Sequence, residues 1–209
     1  RSEGLRIFTT LAPAAQAAAE DAVSRGLDDL ADRGLPEDLQ GALVLADVDS
    51  GEVRAVVGDR HPGRRGFNRA LNARRQVGSV IKPLVYLLAL EHPEAYSWLT
   101  RIEDEPISLV QPDGSRWTPS NYDNRSHGEV SLLEALTRSY NQATVRLGMQ
   151  IGVNHLVTRL QRLGIEHDVP AVPSTFLGAV ELTPMEVTQL YQSIAAGGYS
   201  VPLRAVTAV

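Results

Sequence analysis

Cysteine is missing from this 209-residue chain, and lysine occurs only once. The absence of cysteine excludes thiol catalysis, disulfides and thiolate metal sites, although it does not identify the cellular compartment. Of the twenty basic residues, nineteen are arginine and the remaining one is Lys82. Lysine at this single position suggests a chemical requirement that arginine cannot meet.

Long apolar runs are also missing. The longest, from Leu84 to Leu90, is far too short to span a bilayer. The net charge is −5 and the arginines are scattered, so the chain lacks the basic stripe of a nucleic-acid-binding protein. Hydrophobic residues make up 43% of the sequence and charged residues 22%. This balance is typical of one globular domain, or of a domain with a piece of another.

Local patterning predicts a first part that mixes strands with helices. The alanine-rich sequence after Pro13 predicts a helix that ends near Arg33, because proline is tolerated at a helix start and Gly34 favours a stop. The other elements predicted here are a strand over 5–11, a hairpin of 42–46 and 53–57 joined by an Asp/Ser/Gly turn, a loop over 59–77 and a helix that begins at Ser79.

The later part of the chain is predicted to be mostly helical. Residues 91–130 contain prolines, both tryptophans and the turn formers Pro112-Asp113-Gly114, which predict irregular structure. Capping-box sequences at 131–134 and 183–186 predict two helix starts. The remaining predictions are a helix end near Arg138, helices over 142–151 and 153–163, a helix end at Gly197-Gly198 and a strand from Val201.

The only lysine lies three residues after a serine, at the predicted start of a helix. Residues three apart share one face of a helix, so the side chains of Ser79 and Lys82 can meet. A serine hydroxyl needs a neighbouring base, and arginine cannot serve because its guanidinium stays protonated. Lysine can serve when burial lowers its pKa. The pair fits nucleophilic catalysis, although an arginine-biased composition with one chance lysine explains it equally well.

A second polar pair, Ser139 and Asn141, follows a predicted helix. In an extended or turn segment, residues two apart point the same way, so both side chains can enter one cleft. The hydroxyl can relay a proton between Lys82 and a leaving amine, and the carboxamide can bind a substrate amide. The alternative is that Ser139 is a plain helix N-cap.

The order of these motifs resembles that of the penicillin-recognising serine acyltransferases, with Ser-x-x-Lys at a helix start and Ser-x-Asn between helices. Longer segments are similar to transpeptidase blocks of class A penicillin-binding proteins, in particular the 1b type of Gram-negative bacteria. The resemblance extends over nearly the whole chain. The segments are 52–58, 67–70, 74–83, 116–119, 136–141, 145–149 and 177–184.

The resemblance implies a role for each residue of the two motifs. Ser79 is the nucleophile that takes the acyl group and Lys82 is its general base. Ser139 is a proton relay, and Asn141 orients the substrate peptide. The backbone N–H of Ser79 supplies one oxyanion-hole donor. The implied reaction is peptidoglycan D,D-transpeptidation, in which the penultimate D-alanine carbonyl of a stem peptide is attacked, terminal D-alanine leaves, and an amine of a neighbouring stem takes the acyl group.

The same resemblance implies the fold, the partners and the location. The fold is α/β (α+β), an antiparallel sheet flanked by helices with an all-helical subdomain. The implied partners are peptidoglycan stem peptides or their lipid-linked precursor, β-lactams that acylate Ser79, an outer-membrane lipoprotein activator, and cell-division or elongation proteins. No cofactor, metal ion or nucleic acid is expected. The implied location is the periplasmic face of the bacterial inner membrane.

One motif of the family is missing from this chain. The family carries Lys-Thr-Gly on an edge strand that also supplies a second oxyanion donor, and a chain whose single lysine is Lys82 contains no such motif. Loss of one oxyanion donor costs about 10²–10³-fold in rate. We therefore expect part of a longer protein, with 1–12 a linker or strand from an upstream domain. Residues 13–209 are then a transpeptidase domain without its C-terminal strands.

Two other functions stay open from the sequence. A serine β-lactamase or D,D-carboxypeptidase shares the motifs but needs fast deacylation. In class A β-lactamases, deacylation uses a glutamate acting through a water, and the sequence identifies no such glutamate. A non-catalytic β-lactam sensor or scaffold needs only the fold.

The other residues with chemical potential have simpler interpretations. The five histidines show no metal-ligand spacing and are predicted to lie on the surface. The run Glu103-Asp104-Glu105 suggests a metal site or an acid–base pair, but a solvated charged loop is the preferred interpretation. Trp98 and Trp117 either line a peptide groove or pack beneath the 91–130 segment.

Overall fold

A computed structural model describes residues 4–61, 63–64, 66–111 and 114–209 of the chain. Pro112 and Asp113 of the predicted turn and the first three residues of the predicted linker lie outside the described residues. The chain forms two compact units. The first comprises the residues up to Arg75 together with Leu163–Ile165 and Leu182–Val209, and the second comprises Gln76–Arg162 and Glu166–Glu181.

Helices and short strands follow one another along the described residues. The helices are α1 (Pro13–Asp32), α2 (Arg69–Asn72), α3 (Lys82–Leu90), α4 (Leu132–Thr137), α5 (Asn141–Ile151), α6 (Val153–Arg162) and α7 (Pro184–Ala195), with 3₁₀ turns at Gly78–Ile81 and Pro173–Leu177. The strands are β1 (Phe8–Thr9), β2 (Leu43–Ala46), β3 (Val53–Val57), β4 (Arg75–Gln76), β5 (Arg101–Asp104), β6 (Leu109–Val110), β7 (Arg116–Trp117), β8 (Gly128–Ser131), β9 (Glu181–Leu182) and β10 (Val206–Ala208).

In the first unit, α1 packs against the antiparallel pair of β2 and β3. Ala55 and Val57 on the buried face of β3 contact Ala19 of α1. The side chain of Gln16 also binds the backbone of Val56, whose N–H donates to Oε1 at 2.9 Å and whose carbonyl accepts from Nε2 at 3.0 Å. The predicted hairpin and the predicted alanine-rich helix are therefore confirmed.

The predicted terminal strands are shorter in the structure. Only β1 pairs within 5–11, with β10 as its antiparallel partner. The strand predicted from Val201 begins at Val206 instead, because α7 takes up the preceding backbone groups. Val201 N–H donates to Gln192 Oε1 at 3.0 Å. Leu203 N–H donates to Gln189 Oε1 at 2.8 Å.

The predicted helix caps form as the sequence indicates. Glu186 N–H donates to Thr183 Oγ1 at 3.1 Å and Thr183 N–H donates to Glu186 Oε2 at 2.8 Å, which completes a capping box. Glu134 N–H donates to Ser131 Oγ at 3.1 Å at the start of α4. Helices α5 and α6 are confirmed as well. Among the described helices, none is long and apolar enough to cross a membrane.

Two predictions of irregular structure are wrong. The loop predicted over 59–77 contains α2, whose first turn is capped by Asn68 Oδ1 accepting from Ala70 N–H at 3.0 Å. The segment 91–130 contains β5, which pairs with β8, and β6, which pairs with β7. Strand β8 lies far from β5 along the chain, and β6 and β7 have only two residues each. Local sequence patterns therefore give little signal for these strands. The second unit is therefore helical but also carries two small antiparallel ribbons.

Candidate active site

Ser79 is exposed on the 3₁₀ turn Gly78–Ile81, which leads directly into α3. The helix predicted to begin at Ser79 thus starts as this turn and becomes an α-helix at Lys82. Gly78 N–H donates to Gly178 O at 3.2 Å. Gly178 has φ +81°, and a Cβ there would lie 2.1 Å from Gly78 O, so the close approach requires glycine. This backbone contact fixes the turn that carries the predicted nucleophile.

Lys82 is the first residue of α3 and is only 1% exposed. Its Nζ donates to Ser139 O at 2.7 Å, to Ser139 Oγ at 3.0 Å and to Asn141 Oδ1 at 2.6 Å. Burial lowers the pKa of Lys82 from 10.5 to about 8, against an opposing effect of the charge on Asp104. At pH 7 roughly a tenth of such amines are neutral, compared with about one in 3,000 at the usual pKa.

Ser139 connects Lys82 to Ser79. Ser139 Oγ lies 3.0 Å from Lys82 Nζ and donates to Ser79 Oγ at 3.1 Å. The spacing indicates that Ser79 and Lys82 can meet across a helical turn, and the structure links them through this third side chain. When the amine is neutral, its lone pair can accept from Ser139, which can in turn accept from Ser79. The arrangement can therefore carry a proton from Ser79 to Lys82.

Ser139 holds a strained backbone conformation, with φ +57°. After α4 ends, Tyr140 N–H donates to Ala135 O at 2.9 Å and Ser139 N–H donates to Leu136 O at 3.0 Å. These two bonds define a Schellman motif, whose left-handed position is usually glycine. A residue with a Cβ at this position costs about 1–2 kcal/mol. A serine here gives up stability to place a hydroxyl between Lys82 and Ser79.

We expect Ser139→Gly to be more stable than Ser139→Ala by about 1 kcal/mol, because only alanine keeps the Cβ in the left-handed conformation. Both variants lose the same hydrogen bonds of the hydroxyl, so the difference reports the backbone strain minus the extra unfolded-state entropy of glycine. Urea unfolding of the two variants measures it. A Ser139→Gly protein that is no more stable than Ser139→Ala would show that the strain at position 139 does not exceed the entropy cost of glycine.

Asn141 is the first residue of α5, and Tyr140 is the N-cap of that helix. The alternative that Ser139 is a plain N-cap is therefore wrong. Asn141 Oδ1 accepts from Lys82, while Nδ2 donates to Ser120 O at 2.8 Å. The structure thus brings the four side chains of the two predicted motifs together within the second unit.

A buried carboxylate beside the site escaped the sequence analysis. Asp104 is 0% exposed, and its Oδ2 lies 2.6 Å from Asn121 Nδ2 and 2.7 Å from His127 Nδ1. The interpretation of Glu103-Asp104-Glu105 as a solvated loop is wrong for Asp104. Strand β5 alternates exposed and buried residues, so Asp104 lies on the same face as the buried Ile102. This two-residue period was the available sequence signal.

His127 lies against Tyr140, the residue between Ser139 and Asn141. Its ring stacks on Tyr140, with centroids 4.0 Å apart and 13° between the planes. The hydrogen bond to Asp104 raises the pKa of His127 above its usual value. The side chain is 24% exposed, so this histidine lies at the surface but is partly buried. His61, His92 and His155 are exposed as predicted.

The sequence matches the profile of the penicillin-binding protein transpeptidase domain over residues 41–209. The chain belongs to this family. Penicillin-binding protein 1B of Vibrio cholerae is 45% identical over 99% of this chain and 26% of the relative. Penicillin-binding protein 1B of Escherichia coli is 46% identical over 99% of this chain and 25% of the relative. The chain therefore spans about a quarter of the length of these relatives.

Solved structures show the same fold. The crystal structure of penicillin-binding protein 1A from Haemophilus influenzae has a TM-score of 0.73 and 32% identity, covering 81% of this chain and 26% of that chain. The structure of PonA1 from Mycobacterium tuberculosis in complex with penicillin V has a TM-score of 0.82 and 26% identity. The match covers 99% of this chain and 55% of that chain. The resemblance to class A penicillin-binding proteins of the 1b type and the α/β fold class are confirmed, with sheets that are small and not closed.

Proposed function

We propose that this chain carries the acylation site of a peptidoglycan D,D-transpeptidase, with Ser79 as the nucleophile and Lys82 as the general base. The observation that carries this proposal is that Ser139 Oγ is hydrogen-bonded both to Ser79 Oγ and to Lys82 Nζ. The pKa of the Lys82 amine is lowered to about 8, which suits a base working near neutral pH. Membership of the penicillin-binding transpeptidase family supports the substrate class.

In the proposed acylation step, Ser79 gives its proton through Ser139 to neutral Lys82. Ser79 Oγ bonds to the carbonyl carbon of the penultimate D-alanine, the C–N bond breaks, and terminal D-alanine leaves with the proton that Ser139 returns from Lys82. An amine of a second stem peptide then attacks the ester. It forms the new amide and gives up a proton, and Ser79 regains its hydroxyl.

Further parts of the proposal rest on the family alone. The backbone N–H of Ser79 binds the oxyanion, and Asn141 orients the substrate peptide. β-Lactams acylate Ser79 as mimics of the terminal dipeptide. Several other expectations stay predictions. They are binding of the lipid-linked precursor, location at the periplasmic face of the inner membrane, and partnership with an outer-membrane lipoprotein activator and with cell-division or elongation proteins. The division of the chain into residues 1–12 and 13–209 also stays a prediction.

Incubation of the intact protein with a fluorescent penicillin tests the proposal. We expect a covalent label that persists for many minutes, because a transpeptidase passes the acyl group to an amine of a second stem peptide and not to water. Rapid loss of the label would favour a β-lactamase or D,D-carboxypeptidase. Complete failure to label would contradict every reading in which Ser79 is acylated and would leave a non-catalytic scaffold.

A further inference from the structure

The amino terminus of α5 is held by two side chains that the proposed mechanism does not use. Asn121 Oδ1 accepts from Asn141 N–H at 2.6 Å and from Gln142 N–H at 3.3 Å. Asp104 Oδ1 accepts from Ala143 N–H at 3.0 Å. The first N–H groups of a helix have no partner within the helix. These bonds satisfy three successive donors and fix the point at which Asn141 enters the site.

Asp104 and Asn121 also hold each other. Asn121 Nδ2 donates to Asp104 Oδ2 at 2.6 Å and to Arg125 O at 2.8 Å, which turns Oδ1 toward α5. The two residues are 0% and 3% exposed. A buried carboxylate is costly unless several donors surround it. Asp104 has such donors in Ala143 N–H, Asn121 Nδ2 and His127 Nδ1.

We propose that Asp104 is a positioning residue for acylation, which acts with Asn121 to hold the start of α5 and so places Ser139 and Asn141 against Lys82. This inference rests on the function proposed above. The left-handed Ser139 lies directly between α4 and the start of α5, so its position depends on where that helix begins. The end of α4 and Lys82 hold Ser139 from one side, and Asp104 with Asn121 fixes the start of α5 on the other.

The charge of Asp104 gives the proposal a distinctive readout. It raises the pKa of Lys82, against the larger lowering by burial. Other titratable groups face this region. Burial raises the pKa of Tyr86 to about 12 and raises that of Tyr140, so both stay neutral below pH 9. His127 binds Asp104 and Asp123, and Glu134 and Arg138 act on Tyr140 with opposite signs.

The sign of the expected shift follows from these charges. Lys82 must be neutral to act as the base, so acylation rises with pH through the pKa of Lys82 near 8. Asp104→Asn removes the negative charge that raises this pKa. The pH at which the acylation rate rises should therefore be lower in this variant. The same variant turns an acceptor for Asn121 Nδ2 into a donor, so the helix start shifts and the plateau rate falls.

The test is the rate of acylation of the intact protein by a fluorescent penicillin between pH 6 and 9. For Asp104→Asn we expect about 10–100-fold loss of the plateau rate, as for a small misplacement of reacting groups, together with a lower pH midpoint. For Asn121→Ala we expect a similar loss without a lower midpoint, because Asp104 keeps its charge. Both losses should appear in the rate at saturating penicillin, not in the concentration for half-saturation. Glu105→Gln, which neutralises an exposed carboxylate next to Asp104, is the matched control and should behave as wild type.

The results of this test distinguish a failure of the positioning role of Asp104 from a failure of the proposed function. A wild-type profile for Asp104→Asn overturns the proposal, and so does a lower rate with an unshifted midpoint, which a merely structural role would give. If Asp104→Asn does not fold, Asn121→Ala decides, and wild-type acylation by that variant overturns the proposal. Absence of label on the wild-type protein would instead contradict the proposed function itself.

Discussion

Replacement of Ser79 by alanine is expected to abolish covalent labelling by penicillin, a loss of more than about 10⁴-fold in the acylation rate. The stable ester requires Ser79 Oγ, and no other atom of residue 79 can form that bond. The hydroxyl is exposed and its described hydrogen bond is with Ser139. The free energy of unfolding should therefore change by less than about 0.5 kcal/mol. Gel fluorescence after incubation with the labelled penicillin measures the first effect, and urea unfolding measures the second.

Ser200→Ala is the matched control for this variant. Ser200 is also exposed, and it lies in the first unit, outside the site. It should label at the wild-type rate. A Ser79→Ala protein that still acquires a lasting label would show that another residue carries the acyl group, and the assignment of Ser79 as the nucleophile would then fall.

Lys82→Arg is expected to slow acylation by about 10²–10⁴-fold, the usual contribution of a general base. Arginine keeps the positive charge and can donate to Ser139 and Asn141, but it does not lose a proton in this pH range. The rising limb near pH 8 should disappear from the pH profile together with the rate. Stopped acylation reactions over the pH range measure both effects.

Lys82→Met separates loss of the base from a defect in packing. The site of Lys82 is almost fully buried, so the larger guanidinium of the arginine variant strains it. Methionine fits the same space without a charge and also lacks a titratable amine. Both variants should acylate slowly. Near-normal acylation by either one would refute Lys82 as the general base.

Local chemistry was enough to predict much of the fold. The helix from Pro13 ends with Arg33 as the C-cap, because the proline and glycine signals act over a few residues. The cap at Thr183 forms because its two hydrogen bonds join residues three apart. Strand β5 was missed because its partner β8 comes later in the chain and the segment between them is rich in turn formers. Pairing of that kind depends on tertiary structure.

The same distinction between local and tertiary signals applies to the candidate site. Ser79 and Lys82 were found because they are neighbours on a helical start and because arginine cannot replace a titratable amine. The role of Asp104 required Asn121, His127 and Ala143 to converge on it. Spacing along the chain does not reveal such a convergence. The left-handed backbone of Ser139 could not be predicted either, because the usual sequence signal of a Schellman motif is a glycine at this position.

The contact between Gly178 and Gly78 has a consequence for antibiotic susceptibility. A single methyl group at position 178 would press on the carbonyl beside Ser79 from a distance of 2.1 Å. Such a change would shift the turn that carries Ser79, the proposed nucleophile, without replacing any of the proposed site residues. Surveys of resistance that examine only Ser79, Lys82, Ser139 and Asn141 would overlook this position. Gly178 belongs among the positions at which natural variation in drug response should be sought.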